Sequence, residues 1–248
     1  MKQLKTDFRR DGYVALRGFL NPADCADIHT NLERFIRDVV PTMPPETVYL
    51  EDPNDPSTLK QLQQMAQYDA FFRAHFDGRF KDVAAVLLED GAQGKNMQFF
   101  NKPPFVGQPT PAHQDGYYFM LKPCEAVTMW LALEDVDHET GCIHYSRGSH
   151  ERGMRPHGKT KTLGFSQGIT DFPNDDDRAN VVAFPAKAGD LLVHHGLTVH
   201  WASGNSSITR TRKALGFIYY ADGAQQDAAA HAAYQARLAA DLKNEGKV

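Results

Sequence analysis

From Asn96 onward the chain is a succession of short apolar segments divided by glycine, proline and asparagine, and this punctuation restricts it to a core built from sheet. Residues 97–100, 126–133, 141–145, 190–194 and 212–220 read as strands. Many short strands separated by turn signals suggest a sandwich or barrel. Before residue 96 the character differs. Residues 8–20 read as a short helix, a glycine turn and a strand. Asn21-Pro22 then supplies an N-cap and a first-turn proline for a helix running to about Val40. Residues 41–56, rich in proline, read as a loop or lid, and Ser57 as the cap of helical segments reaching about Glu89 with a break near Asp77-Gly78. The alanine-rich residues 224–242 read as a last helix. A chain of 248 residues, 42% hydrophobic, suits one domain. It divides into a helical N-terminal region (residues 1–95), a sheet core (96–222) and a C-terminal helix (223–248), which makes the class mainly β with flanking helices (α+β).

Charge and cysteine usage narrow the function. A net charge of -4 and a pI near 6.2 argue against a nucleic-acid or membrane-surface role. No apolar run approaches the roughly 20 residues of a membrane span. The first seven residues carry charge without an apolar core, unlike a signal peptide, and residues 244–248 are not a peroxisomal address. Cys25, Cys124 and Cys142 are odd in number and far apart. They make neither a disulfide framework nor a zinc pattern, and they suit a reducing cytoplasm. A small-molecule substrate is the expected partner, and the oligomeric state is left open.

The residues with the most chemistry are His113-Gln114-Asp115. Composition alone supplies about 1.4 His-x-acid triplets in such a chain, and a second, His75-Phe76-Asp77, is present. Local period separates the two. His75 lies among apolar residues at helical spacing, where i and i+2 stand about 200° apart and cannot share an ion. His113 lies among Pro103, Pro104, Gly107 and Pro111 with no helical period. In extended chain i and i+2 share a face, so His113 and Asp115 are candidate ligands of a mononuclear iron.

The third ligand is assigned to His200. His194 and His195 compete with it, and are read instead as adjacent strand residues, one facing inward and one outward, dispensable for turnover. Two histidines and one carboxylate on one octahedral face are the arrangement of non-haem Fe(II) oxygenases. The lack of thiolate speaks against structural zinc. Arg212, twelve residues after His200 and opening an apolar strand, has the planar permanent charge suited to gripping a distal carboxylate in two parallel bonds.

In this order, His113-Gln114-Asp115, His200 and Arg212 resemble the phytanoyl-CoA dioxygenase family of Fe(II)/2-oxoglutarate oxygenases. Asn101-Lys102-Pro103-Pro104, Trp130, Gly141-Cys142-Ile143, Gly148-Ser149-His150, Asn205 and Arg212-Lys213-Ala214 are similar to further family motifs. The likeness runs from about Phe8 to Tyr220. It implies a double-stranded β-helix, a cupin-like jelly roll with the metal at its mouth. It also implies Fe(II), 2-oxoglutarate as co-substrate and O2, with succinate and CO2 released as an aliphatic C–H bond is hydroxylated. Under this resemblance Arg212 holds the distal carboxylate, Gln98 is a further 2-oxoglutarate contact and Trp130 lines that pocket. The arginine is one residue later than the family's usual spacing, so Arg210 remains a substitute. Asp115 argues against the halogenating relatives, in which a small residue stands there.

Two rival functions remain. A metal-dependent hydrolase uses the same ligands to activate water, but gives Arg212 and Gln98 no task. A non-catalytic jelly-roll binding or sensor protein binds metal or ligand without consuming O2. Residues 149–188 form a long insertion, basic at first (Arg152, Arg155, His157, Lys159, Lys161) and then acidic (171–177). As a mouth lid its basic face favours an anionic substrate; as a solvated loop its halves balance each other.

Overall fold

Alternate residues of a strand point to opposite faces, and the two faces of one large sheet here meet different partners. The computed structural model describes residues 2–105 and 107–244, so the reading made for the extreme C-terminus lies largely outside the described residues. Strands β1 (Tyr13–Leu16), β2 (Val48–Leu50), β3 (Leu59–Leu62) and β4 (Ala92–Lys102) come first. They are followed by β5 (Thr110–His113), β6 (Leu121–Lys122), β7 (Ala126–Ala132) and β8 (Ile143–Ser146), then the hairpin β9 (His157–Thr162) and β10 (Phe165–Ile169). β11 (Val181–Phe184), β12 (Leu191–His195), β13 (His200–Ala202), β14 (Arg212–Ala221) and β15 (Gln225–Gln226) complete the set. One antiparallel sheet runs β1-β12-β7-β14-β4-β3-β2 and faces another of order β11-β8-β13-β5. The chain passes repeatedly between the two sheets, which is the jelly roll expected.

Parity sorts the side chains of the large sheet. Met97, Phe99, Val127, Met129, Leu131, Val193, Leu215 and Phe217 enter one apolar core with the helices on the outer face. There Phe80, from the helix Arg79–Leu88, stacks on Phe217 with ring centroids 4.0 Å apart. The intervening residues Gln98, Thr128, Trp130, His194, Arg212 and Tyr220 face the interior and line one cavity. The helix Pro22–Arg34 begins as expected, with the Asn21 side chain accepting from the Asp24 amide at 2.9 Å, and buries Cys25, Ile28 and Leu32 on one stripe. It continues through a π turn, Phe35–Val39, to Val40.

Three expectations are corrected. Residues 59–62 are strand, not the start of a helix. Leu59, Leu62 and Met65 mimic helical spacing, but Gln61 and Leu62 pair with Phe100 and Phe99, and the strand lies between β4 and β2 in the large sheet. Backbone pairing there outweighs local period. The helical segment starts at Met65, and the side chain of Asp69, not Ser57, caps the helix Ala70–Asp77 by accepting from Phe71 and Phe72. The N-terminal region, residues 1–95, is therefore not purely helical, since β1, β2, β3 and the first residues of β4 all come from it. The segment 149–188 is not a long loop. It forms the β9–β10 hairpin, the helix Asp175–Asn180 and β11, which pairs with β8. The alanine-rich helix Ala228–Asn244 lies against its own chain: Tyr234 Oη is 2.6 Å from Ser166 Oγ, and Leu238 packs beside Tyr49 and Leu163.

Candidate active site

β5 and β13 are neighbours in the small sheet, with His113 and His200 in register, so their imidazoles meet at 4.1 Å between ring centroids. Asp115 follows β5 by two residues and opens the one-turn helix Gly116–Phe119 in αR conformation. The convergence of His113 and Asp115 thus comes from a strand end and a turn, not from the pleat of a continuous strand. Asp115 makes no cap bond to the helix it begins, which frees both its oxygens. The intervening Gln114 points away and staples two loops, donating to the carbonyls of Gly153 (2.9 Å) and Leu197 (2.7 Å).

The donor atoms suit a divalent ion. His113 Nδ1 donates to the Pro111 carbonyl at 2.8 Å and His200 Nδ1 to the Thr198 carbonyl at 3.0 Å. Each ring thereby turns its Nε2 inward, the way ligating histidines are usually oriented. These atoms lie 3.4 and 3.8 Å from Asp115 Oδ1. The three residues form one of two groups among the described residues whose donor atoms lie close enough to hold an ion. Asp115 Oδ2 is occupied elsewhere: it accepts from Thr128 Oγ1 at 2.6 Å and from His194 Nε2 at 3.1 Å. His194 takes a bond from the Tyr145 hydroxyl on its other nitrogen at 3.1 Å. Burial alone would raise the Asp115 carboxyl, but His200, His113 and His194 outweigh it and hold it well below the usual carboxylate range. Burial, with His194 and His113 adding to it, holds His200 well below the usual imidazole value. An ionised carboxylate and a neutral imidazole are the forms a metal requires.

The histidine pair in β12 divides as its parity demands. His195 faces outward, 3.6 Å from Glu125, and is not in the site. His194 faces inward, but it is not an idle strand residue, because it touches the Asp115 carboxylate. The sequence gives no sign of that contact. Sequence reasoning also misses Thr128, a lone hydroxyl in a strand buried at all seven positions. Its shared parity with Trp130 is the available signal.

Arg212 opens β14 inside the same cavity, 4% exposed, with its guanidinium 5.3 Å from the centre of the Trp130 ring and its Nε without a partner. Burial pushes the guanidinium down to about 10. Arg210 lies before the strand and outside the cavity, paired with Asp137 at 2.8 Å and with Glu139. Gln98 faces the cavity and donates to Gln63 Oε1 at 2.7 Å. The cavity measures about 1020 Å³, and Tyr234 and Arg237 of the C-terminal helix and Phe165 of the β9–β10 hairpin complete its wall.

The family model of phytanoyl-CoA dioxygenase (PhyH) matches residues 8–214. The chain belongs to the phytanoyl-CoA dioxygenase family. It is 25% identical over 225 residues to the peroxisomal phytanoyl-CoA dioxygenase of Mus musculus, covering 84% of this chain and 64% of that protein. It therefore spans less than two thirds of that relative's length. Phytanoyl-CoA dioxygenase domain-containing protein 1 of Danio rerio is 24% identical over 244 residues, with 81% of this chain and 83% of the relative covered. Among solved structures, the non-heme alpha-ketoglutarate-dependent carbocyclase SnoK from nogalamycin biosynthesis superposes with a TM-score of 0.72 at 24% identity, over 91% of this chain and 86% of its own. EctD from S. alaskensis with 2-oxoglutarate and 5-hydroxyectoine gives 0.71 at 20%, over 89% and 76%. At these identities the structural likenesses carry the fold of the family member described here.

Proposed function

We propose that this protein is an Fe(II)- and 2-oxoglutarate-dependent oxygenase that hydroxylates an aliphatic C–H bond of a small molecule, releasing succinate and CO2. One observation carries the reading: His113, Asp115 and His200 turn three donor atoms into a cavity that also holds a buried guanidinium with an unpaired Nε. In this reading His113, Asp115 and His200 hold Fe(II) on one face. The chemistry the bound ion supplies is O2 activation coupled to oxidative decarboxylation of 2-oxoglutarate. Thr128 and His194 fix the Asp115 carboxylate so that Oδ1 faces the metal. Arg212 takes the distal carboxylate of 2-oxoglutarate in two parallel bonds, a task for which a buried unpaired guanidinium beside the Trp130 ring is suited. Gln98, held by Gln63, adds a donor or acceptor to the same pocket. The C-terminal helix and the β9–β10 hairpin narrow the entrance and keep bulk water from the reacting atoms.

The substrate enters between that helix and that hairpin. Arg155 gives no support to an anionic substrate, because it is consumed by Asp177 at 2.8 Å and Asp171 at 3.0 Å. Lys159 is likewise paired, with Asp241 at 2.6 Å. A preference for anions rests instead on Lys161 and Arg237, which line the cavity. No described helix is long and apolar enough to cross a membrane, and three free cysteines fit a cytoplasmic site of action.

Anaerobic titration of the Fe(II) protein with 2-oxoglutarate, followed by its charge-transfer absorbance, tests the reading. The band is expected in the unaltered protein and absent in His113→Ala or His200→Ala. Arg212→Ala is expected to weaken 2-oxoglutarate by roughly 2–5 kcal/mol, the scale for unpairing a buried charge, with Arg210→Ala close to unaltered. A protein that gives no band, or forms no succinate when O2 is admitted with candidate substrates, overturns it.

A further inference from the structure

The second group of converging donor atoms lies on the other side of the small sheet. In β8, Ile143 and Tyr145 point into the roll, so His144 points out, where its ring stacks on Trp201 at 5.4 Å with planes 12° apart. His144 Nδ1 is buried without a hydrogen-bond partner. Two residues earlier the Cys142 thiol, fully buried, lies 3.7 Å from His138 Nδ1. The donor atoms of His138, Cys142 and His144 all lie within 4.8 Å of one another. The turn that gathers them is fixed by its own backbone: Asp137 accepts from the amides of Glu139 (3.0 Å) and Thr140 (3.1 Å), and Cys142 N donates to the Asp137 carbonyl at 3.0 Å. Gly141 occupies φ +83, and a Cβ there would stand 2.3 Å from the Ser203 carbonyl, so the approach requires glycine.

We propose that His138, Cys142 and His144 form a second metal site, separate from the His113–Asp115–His200 group, that takes zinc(II). One thiolate and two imidazoles are borderline-soft donors of the kind zinc selects, and His138 is exposed, which leaves the fourth position to water. Ligation forms a zinc–sulfur bond and releases the thiol proton to solvent. The ion ties down a turn that is itself bonded to the segment leading into Arg212: the Glu139 carbonyl accepts from Ser206 N at 2.9 Å, and Asp137 accepts from Arg210. The spacing His138-x3-Cys142-x-His144 stands in the sequence, but a search for cysteine pairs passes over it.

Cobalt(II) titration of the metal-free full-length protein tests the proposal, because a thiolate–cobalt charge-transfer band in the near ultraviolet cannot come from the thiolate-free His113–Asp115–His200 group. The band is expected to be complete by two equivalents in the unaltered protein, where the His113–Asp115–His200 group also takes cobalt, and by one in His113→Ala, with added zinc(II) abolishing it. It should vanish in Cys142→Ala. His138→Ala, in an exposed turn with little risk to folding, should weaken cobalt binding by roughly ten-fold or more. Absence of the band in folded protein, leaving only a thiol–imidazole hydrogen bond, overturns the proposal. So does a band that survives Cys142→Ala, which would come from Cys25 or Cys124, or an unchanged affinity in His138→Ala.

Discussion

At the scale of single residues, the Asp115 carboxylate is shared between two tasks. Oδ2 is anchored by Thr128 and His194, and that anchoring points Oδ1 at the two imidazole nitrogens. Partners of this kind set ligand orientation and typically contribute 10- to 100-fold to metal affinity. Thr128→Val and His194→Ala are each expected to weaken Fe(II) or Mn(II) binding roughly ten-fold or more by equilibrium titration. Dissociation constants equal to that of the unaltered protein would mean that Asp115 is held by the backbone alone. Lys102 offers a second test. Burial, with the charges of Arg212 and Lys60 adding to it, pushes its amine down to about 5. At neutral pH it is therefore uncharged in the folded protein. A bound dianion favours the ammonium form and raises that value, so 2-oxoglutarate binding at pH 7 should take up about one proton at most. By the same linkage, affinity should rise as pH falls from 7 toward about 5. Calorimetry in two buffers of different ionisation enthalpy measures the uptake, and Lys102→Met should remove it.

At the scale of elements, strand parity turns one sheet into both scaffold and site. Alternate residues of β4, β7, β12 and β14 pack against the helical layer, and residues between them line the cavity or fill the apolar cluster between the two sheets, so rigid packing on one face positions the chemistry on the other. The C-terminal helix is attached more weakly. Among its described residues it meets the rest of the chain chiefly through Tyr234, Leu238 and the exposed Lys159–Asp241 pair, which contributes little. An element with so few buried contacts opens locally before the core does. Tyr234→Ala is therefore expected to increase amide exchange across residues 228–244 while leaving exchange in β7 and β14 unchanged. Equal protection of the helix in the variant would show that other contacts hold it.

At the scale of the whole molecule, the helices and the large sheet are joined by a stack of aromatic rings. Phe80 and Phe217 lie 4.0 Å apart, with Phe76 stacked on Tyr219 at 5.1 Å beside them. Truncating a buried phenylalanine at such a seam removes its transfer energy and leaves a cavity. Phe217→Ala should cost about 4 kcal/mol and lower Tm by roughly 8–16 °C for a chain of this size. A shift of a degree or two would mean that the layers close over the gap. Because the seam lies on the outer face of the sheet, the metal affinity of refolded variant at low temperature should stay near that of the unaltered protein.

The sequence by itself determined strands β4, β7, β8, β12 and β14, the helix opened by Asn21-Pro22, the break at Gly78 and the order of candidate ligands, because these follow from local period, capping and residue chemistry. The choice of His113 over His75 was also legible: His75 does lie in a helix, Ala70–Asp77. Tertiary structure alone decided matters that depend on which distant segments meet. It placed residues 59–62 between β4 and β2 in the large sheet, where strand pairing overrode a helix-like spacing. It put Arg212 in the cavity and turned Arg210 to Asp137 and Glu139, a difference that no count of residues from His200 could give. It neutralised the basic residue Arg155 with carboxylates 16 and 22 positions further along the chain. It brought Thr128 and His194 onto Asp115 from two other strands, because cross-sheet contact is set by register and layer, and neither is written in the spacing of one segment.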